Sequence, residues 1–181
     1  MLTRNGNERE RIKALERYRI LDSFPEPAFE RLTELVAEMF RTPVALISLV
    51  HQDRVWFKSH WGTGTREIPR SVSFCSEVIS GEQVLVIPDT ATDPRTANRA
   101  AVERFRFYAG APLRTLDRYN IGTLCVLDTK PRHDWTAFKS RVLSDLAAIT
   151  VDEMELRRMA TGRWQMESAV RLRQLDVAVL A

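Results

Sequence analysis

The chain has only two cysteines, three histidines and seven glycines among 181 residues, and each shortage removes a class of protein. Cys75 and Cys125 are too few for the disulfide framework that staples small secreted domains. His51, His60 and His133 lie far apart without metal-ligand spacing, so no metal is expected. The glycines form no phosphate-cradling loop, and no nucleophilic triad or paired-carboxylate arrangement is present. No apolar run nears the ~20 residues that span a bilayer. The longest, Val44 to Val50, is strand-sized and contains Ser48. Charge runs from Arg4 to Lys13 with no apolar segment behind it, so no secretory leader is expected and the chain reads as cytosolic.

Charge of one sign is missing too. The 27 basic residues are interleaved with 24 acidic ones, as in Asn7-Glu8-Arg9-Glu10-Arg11, for a net charge of +3. A nucleic-acid face gathers its Lys and Arg into a patch, so no nucleic-acid partner is expected.

What the chain does have is a hydrophobic content of 44%, enough for one domain with a real core plus terminal extensions. Ile12, Leu15 and Tyr18 give a helical period over Asn7–Leu21, broken by Asp22 to Pro27. Ala28–Phe40 resumes as a stronger amphipathic helix. Pro43 opens the strand Val44–Val50, and a polar turn leads into a second strand, Arg54–Trp61. Gly62 to Arg70 reads as a loop, and Ser73 as the N-cap of a short helix Phe74–Ile79. A short strand Val84–Ile87 and a short helix from Asp93 to about Glu103 follow.

Two further runs, Phe105 to Leu113 and Ile121 to Asp128, form a hairpin around Asp117–Asn120. Thr136–Met159 is a long helix with Phe138, Val142, Leu146, Ile149 and Val151 as its expected buried stripe. Gly162 interrupts it before a second helix-favouring stretch, Trp164 to Ala181. Hairpins at both ends imply an antiparallel sheet, and the class is α+β. Gly110 and Gly122 are unusual inside strands, because glycine packs nothing and costs order. They suit a close approach to the backbone or a bend, and beside Phe107 and Tyr108 they suggest the floor of an aromatic-lined cavity.

Several blocks then occur in a recognisable order. They are Glu8-Arg9 through Arg19-Ile20-Leu21-Asp22 with Pro25-Glu26, Val44 to Val50, and Asp53 to Lys58. Pro69 to Cys75, Val86-Ile87-Pro88-Asp89, Asp93-Pro94-Arg95 and the two hairpin strands complete the set. Together they resemble a GAF domain of the bacterial signalling type, which precedes histidine kinase and diguanylate cyclase modules. The resemblance covers about residues 8–160, leaving 1–7 as a tail and 161–181 as a connector helix or tail. It implies a central antiparallel sheet with helices on both faces. A small-molecule pocket is expected on one face, and terminal helices that pair in a homodimer on the other.

The candidate ligand-binding residues each carry two readings. Ser73, Phe74 and Cys75 precede a short helix whose backbone N–H groups suit a polar or anionic ligand group; the alternative is a cap with two buried neighbours. Phe107 and Tyr108 alternate across a strand, so only one of them faces a pocket. Asp89 and Arg95 are either ligand-orienting or surface pairs. Arg106 either clamps a carboxylate or phosphate or snorkels over the sheet. By its place in the resemblance, Trp56 is the pocket-facing tryptophan and Trp61 faces away.

Cys75 and Cys125 complete the candidate set, either as a redox-active thiol and its resolving partner or as small buried hydrophobes. Neither cysteine precedes a histidine, which argues against a covalent bilin. The Asn-Lys…Phe…Asp-Glu pattern of cyclic-nucleotide-binding relatives and the cysteine set of the methionine sulfoxide reductase relatives are not matched. The expected function is a non-enzymatic sensor that binds an unidentified small ligand or a partner protein and transmits the signal through terminal helices at a dimer interface, with a kinase or cyclase as the expected C-terminal effector. The alternatives are a thiol-dependent reductase or peroxidase using Cys75, and a structural dimerisation domain with a self-filled pocket. No cofactor is named by these residues.

Overall fold

In the computed structural model, which describes residues 8–96 and 100–179, a single six-stranded antiparallel sheet is flanked by helices on both faces. The elements in chain order are α1 (Glu8–Glu16), α2 (Pro27–Phe40), β1 (Val44–Val50), β2 (Arg54–Trp61) and β3 (Glu67–Pro69). They continue with α3 (Cys75–Ser80), β4 (Leu85–Ile87), β5 (Phe107–Arg114), β6 (Asn120–Asp128) and α4 (Ala137–Val179). The strands lie in the order β3-β2-β1-β6-β5-β4. The expected tail 1–7 and the last two residues of the expected terminal helix fall outside the described residues.

The apolar run Val44–Val50 is central because it pairs on both edges, with β2 and β6, and every residue in it is buried. Side chains alternate across the pleat, so the inner strands sort their residues onto two faces. Ala45, Ile47, Leu49, Phe107, Ala109, Ala111, Leu113, Leu124 and Val126 join one core with α1, α2 and α4. Val44, Leu46, Val50, Val55, Phe57, Tyr108, Cys125 and Leu127 join a second core beneath α3.

Helix α2 starts with Pro27 in its first turn, buries Phe29, Thr33, Val36, Ala37 and Phe40, and stops at Arg41 in the left-handed region, φ 50°. Helix α4 buries Leu143, Leu146, Ala147, Thr150, Val151 and Met154. This stripe is rotated from the expected one: Phe138 and Ile149 are exposed. Gly162 does not interrupt α4, which is continuous from Ala137 to Val179.

Helix α1 ends at Glu16, short of Leu21, because Arg19 and Asp22 take left-handed φ values of 46° and 57°. Tyr18 and Ile20 stay buried in the turn that follows. The loop between Gly62 and Arg70 contains β3, which pairs with β2. Of the expected helix over 93–103, the described residues show no helix over 93–96 and a 3-10 turn at Ala100–Glu103, and 97–99 lie outside the described residues.

A bulge in β2 has a specific consequence. Ser59 pairs with Ile47 and Phe57 with Ser48, leaving Lys58 as the extra residue. Lys58 and Ser59 therefore both turn toward α2. Ser59 Oγ lies 2.7 Å from Thr33 Oγ1. The Lys58 ammonium, whose side chain is fully buried, donates to Glu26 at 2.6 Å, Phe24 O at 2.8 Å and Ser23 Oγ at 2.9 Å. Burial pulls the Lys58 pKa below the ordinary amine value, against the opposing pull of Glu26. Arg157 of α4 reaches the same Glu26 carboxylate at 2.7 Å.

Two stability predictions follow from these contacts. Glu26→Gln strands the buried ammonium and should cost about 3 kcal/mol in urea unfolding, whereas Glu26→Gln with Lys58→Met should recover most of that loss. Gly122→Ala should be destabilising by about 3 kcal/mol, because its Cβ would sit 2.0 Å from Ser48 O and 3.1 Å from Leu49 Cα, both backbone atoms of the paired strand.

Candidate ligand cavity

Between the sheet and α3 lies a cavity of about 80 Å³ with an almost wholly apolar wall. Val44, Leu46 and Leu127 come from the sheet, Phe74 from the segment entering α3, and Phe105 from the approach to β5. Thr65 and Arg104, both exposed, lie on its solvent side.

The polar groups converge at one end. Tyr108 Oη donates to Cys75 Sγ at 3.6 Å and Thr123 Oγ1 donates to the same sulfur at 3.2 Å. Ser73 Oγ accepts the Cys75 N–H at 3.1 Å, so that amide is already used within the chain. Ser48 Oγ lies 3.8 Å from Cys125 Sγ.

These contacts split the two thiols. Cys75 is held below the usual thiol range, near 6, first by the Cys125 side chain and then, against burial, by the hydroxyls of Ser73, Thr123 and Tyr108. Burial and the neighbouring Cys75 push Cys125 well above it. Burial first, and the two thiols next, raise the Tyr108 phenol well above its ordinary value.

Gly110 makes this geometry available. A Cβ at Gly110 would lie 2.3 Å from Tyr108 Oη and 2.8 Å from its Cζ, so the hydroxyl end of the phenol sits over the glycine two residues along its own strand. The group that approaches the backbone closely is thus Tyr108 itself. The phenol occupies space that the glycine leaves open, and its hydroxyl is thereby aimed at Cys75.

Ser73, Phe74, Cys75, Tyr108 and Cys125 all line this cavity. The other expected site residues do not. Trp56 and Phe107 point through the opposite face into the core with α2 and α4, where Phe107 stacks at 5.3 Å on Trp135. Trp56 is excluded because its neighbours Val55 and Phe57 occupy the cavity side of β2. Asp89 and Arg106 form a two-bond pair with each other at 2.8 and 2.7 Å, away from the cavity, holding the end of β4 to the start of β5. Arg95 pairs with Asp93 at 2.8 Å on the surface.

Sequence reasoning missed Ser48 and Thr123. Thr123 was legible as the residue two before Cys125, sharing its face; Ser48 as the one polar residue inside an apolar strand. Among the described residues, no group of three His, Cys, Asp or Glu side chains could hold a metal ion. No helix among them is long and apolar enough to cross a membrane.

Comparison with known proteins adds the family. Residues 25–151 match the GAF domain. The chain belongs to the GAF domain family. A Pseudomonas aeruginosa protein named cyclic di-GMP phosphodiesterase is 37% identical over 129 residues, which is 70% of this chain and 22% of that protein. The chain therefore spans about a fifth of that relative.

Among solved structures, the free methionine-R-sulfoxide reductase of Neisseria meningitidis with its substrate has a TM-score of 0.62 at 20% identity, over 84% of this chain and 90% of that one. The GAF domain of an Acinetobacter phosphoenolpyruvate-protein phosphotransferase has a TM-score of 0.60 at 17% identity, over 81% and 91%. A domain of a two-component sensor histidine kinase from Sinorhizobium meliloti has 0.58 at 13%, over 75% and 94%. The expectation that this module is non-enzymatic is corrected by these findings: the 37% identical relative is named a cyclic di-GMP phosphodiesterase, and methionine-R-sulfoxide reductases share the fold, so the non-enzymatic assignment does not stand.

The donor set around Cys75 yields a direct measurement. Tyr108→Phe removes one hydroxyl donor, so the pH midpoint for Cys75 alkylation, read on its own peptide by mass spectrometry, should rise from about 6. An unchanged midpoint would remove Tyr108 from the set.

Proposed function

We propose that this chain is the ligand-sensing GAF segment of a bacterial cyclic di-GMP signalling protein. The cavity between the sheet and α3 carries this reading, because a pre-formed apolar space with a few converging polar groups is the usual form of a small-molecule site. At about 80 Å³ it is far below the ~300 Å³ of an ordinary drug-sized pocket, and a cyclic dinucleotide does not fit it. The ligand is therefore compact and mostly apolar, with one or two groups that hydrogen-bond to Ser73, Thr123 or Tyr108. The effector that it regulates acts in cyclic di-GMP turnover, a placement supported by the 37% identical relative.

The route out of the cavity runs through the sheet. Cys125 faces the cavity, while Leu124 and Val126 beside it face the core shared with α4. Helix α4 is fastened to the turn after α1 by Tyr18 Oη donating to Glu155 at 2.6 Å and by Arg157 donating to Tyr18 O at 3.1 Å. Leu35 and Met39 on α2, and Ile149, Leu156 and Met159 on α4, are apolar and exposed. In this reading a second copy covers them, residues 8–160 are the sensor, 161–181 the connector and 1–7 a tail. A ligand then acts only through unequal affinity for two arrangements of the helices.

Native mass spectrometry of freshly purified protein tests the ligand, with a small bound molecule lost on denaturation as the expected result. Identical masses before and after denaturation, with no thermal shift across a panel of compact apolar compounds, would sink it. Solution scattering at micromolar concentration should show a dimer, and Ile149→Glu with Leu156→Glu should convert it to monomer. A wild-type monomer throughout that range would remove the pairing.

A further inference from the structure

The cavity floor brings together the chain's two cysteines, and simple ligand binding makes no use of their chemistry. Both thiols are free, one on α3 and one on β6, and both line the same cavity. Three hydroxyls converge on them: Thr123 at 3.2 Å and Tyr108 at 3.6 Å from Cys75 Sγ, and Ser48 at 3.8 Å from Cys125 Sγ. Hydroxyl donors aimed at one sulfur favour its thiolate, and the thiolate is the nucleophile. The sulfur with fewer donors stays a thiol. This division of labour suits a two-step oxidation, in which one sulfur attacks and the other resolves.

We propose that Cys75 and Cys125 form a reversible thiol–disulfide pair, oxidised by hydrogen peroxide or a comparably small hydroperoxide entering the cavity. In the first step the Cys75 thiolate attacks one peroxide oxygen. An S–O bond forms, the O–O bond breaks, and the departing hydroxide takes the proton that Cys75 gave up, leaving as water. In the second step the Cys125 sulfur attacks the Cys75 sulfenic acid. An S–S bond forms, the S–O bond breaks, and the hydroxide leaves with the Cys125 proton as a second water. The peroxide gains two electrons and the two thiols lose them. A dithiol reductant reverses the change by exchange.

The cavity sets the oxidant's size. A water molecule's share of the liquid is about 30 Å³, so hydrogen peroxide enters a space of about 80 Å³ and an aryl hydroperoxide does not. The bond would tie the first turn of α3 to the middle of β6, beside residues that pack against α4. This chemistry does not rest on the ligand-sensing reading, and an empty cavity would leave it standing.

The test is intact-mass analysis of the full chain after brief exposure to hydrogen peroxide, quenched in denaturant with N-ethylmaleimide. Wild type should lose the mass of two hydrogens and take no maleimide, and dithiothreitol should restore two maleimide sites. Cys125→Ser should stop at a Cys75 sulfenic acid trapped by dimedone, and Cys75→Ser should resist oxidation. Thr123→Val keeps the packing shape and should react about tenfold more slowly, through the lost donor to the thiolate. Cumene hydroperoxide, scaled to its rate with free cysteine, should be at least about tenfold slower than hydrogen peroxide. Two maleimide adducts on wild type after free cysteine is fully oxidised would overturn the proposal. So would disulfide-linked dimers on a non-reducing gel in place of the internal bond, or equal scaled rates with the two oxidants.

Discussion

The period-two alternation of the central strands is the constraint on which the rest of the molecule depends. Each inner strand serves two unlike environments, and a shift of one residue would exchange them. On β5, small Ala109 and Ala111 take the helix side between larger Phe107 and Leu113, while Tyr108 and Gly110 take the other. The same rule on β6 sends Thr123 and Cys125 toward α3 and Leu124 and Val126 toward the helical core. The cavity exists because one side of this sheet carries a short helix in place of long ones, leaving space that neither core fills.

Much of the architecture was readable from residue pattern alone. The bounds of β1 and β2, the final hairpin and the antiparallel α+β class follow from apolar runs punctuated by turn residues, and the ordered blocks matched the family. The β2 bulge was not readable, because it depends on how a strand meets its partner. That bulge sends two neighbouring residues, Lys58 and Ser59, to one side of the sheet. The α4 stripe was misjudged by part of a turn, since Phe138 and Ile149 are apolar but face outward.

The candidate site divided along a physical line. Residues adjoining α3, together with Tyr108 and Cys125, converge because local chain direction and strand parity bring them there. Trp56 was chosen by its place in the resemblance and Phe107 for its aromatic character, and both lie on the other face. Asp89 and Arg106 are seventeen positions apart, and their mutual pairing depends on β4 lying against β5. Nothing in their immediate neighbours announces that partnership. Gly110 was conspicuous in the sequence for a sound reason, but the group that needs its missing side chain is Tyr108, two residues before it.

The carboxylate of Glu26, gripped by Lys58 from the sheet and Arg157 from α4, has a mechanical consequence. Arg157 is the last turn of α4 at which such a tether to the turn before α2 is seen among the described residues, yet the helix runs on to Val179. At ~1.5 Å per residue that overhang is about 33 Å long. Pivoting at the Glu26 tether by roughly 10° would sweep its tip through about 6 Å, slightly more than one helical pitch of ~5.4 Å. An adjustment at the Glu26 tether would thus act on the short arm of a lever whose long arm is the stretch of α4 beyond Arg157.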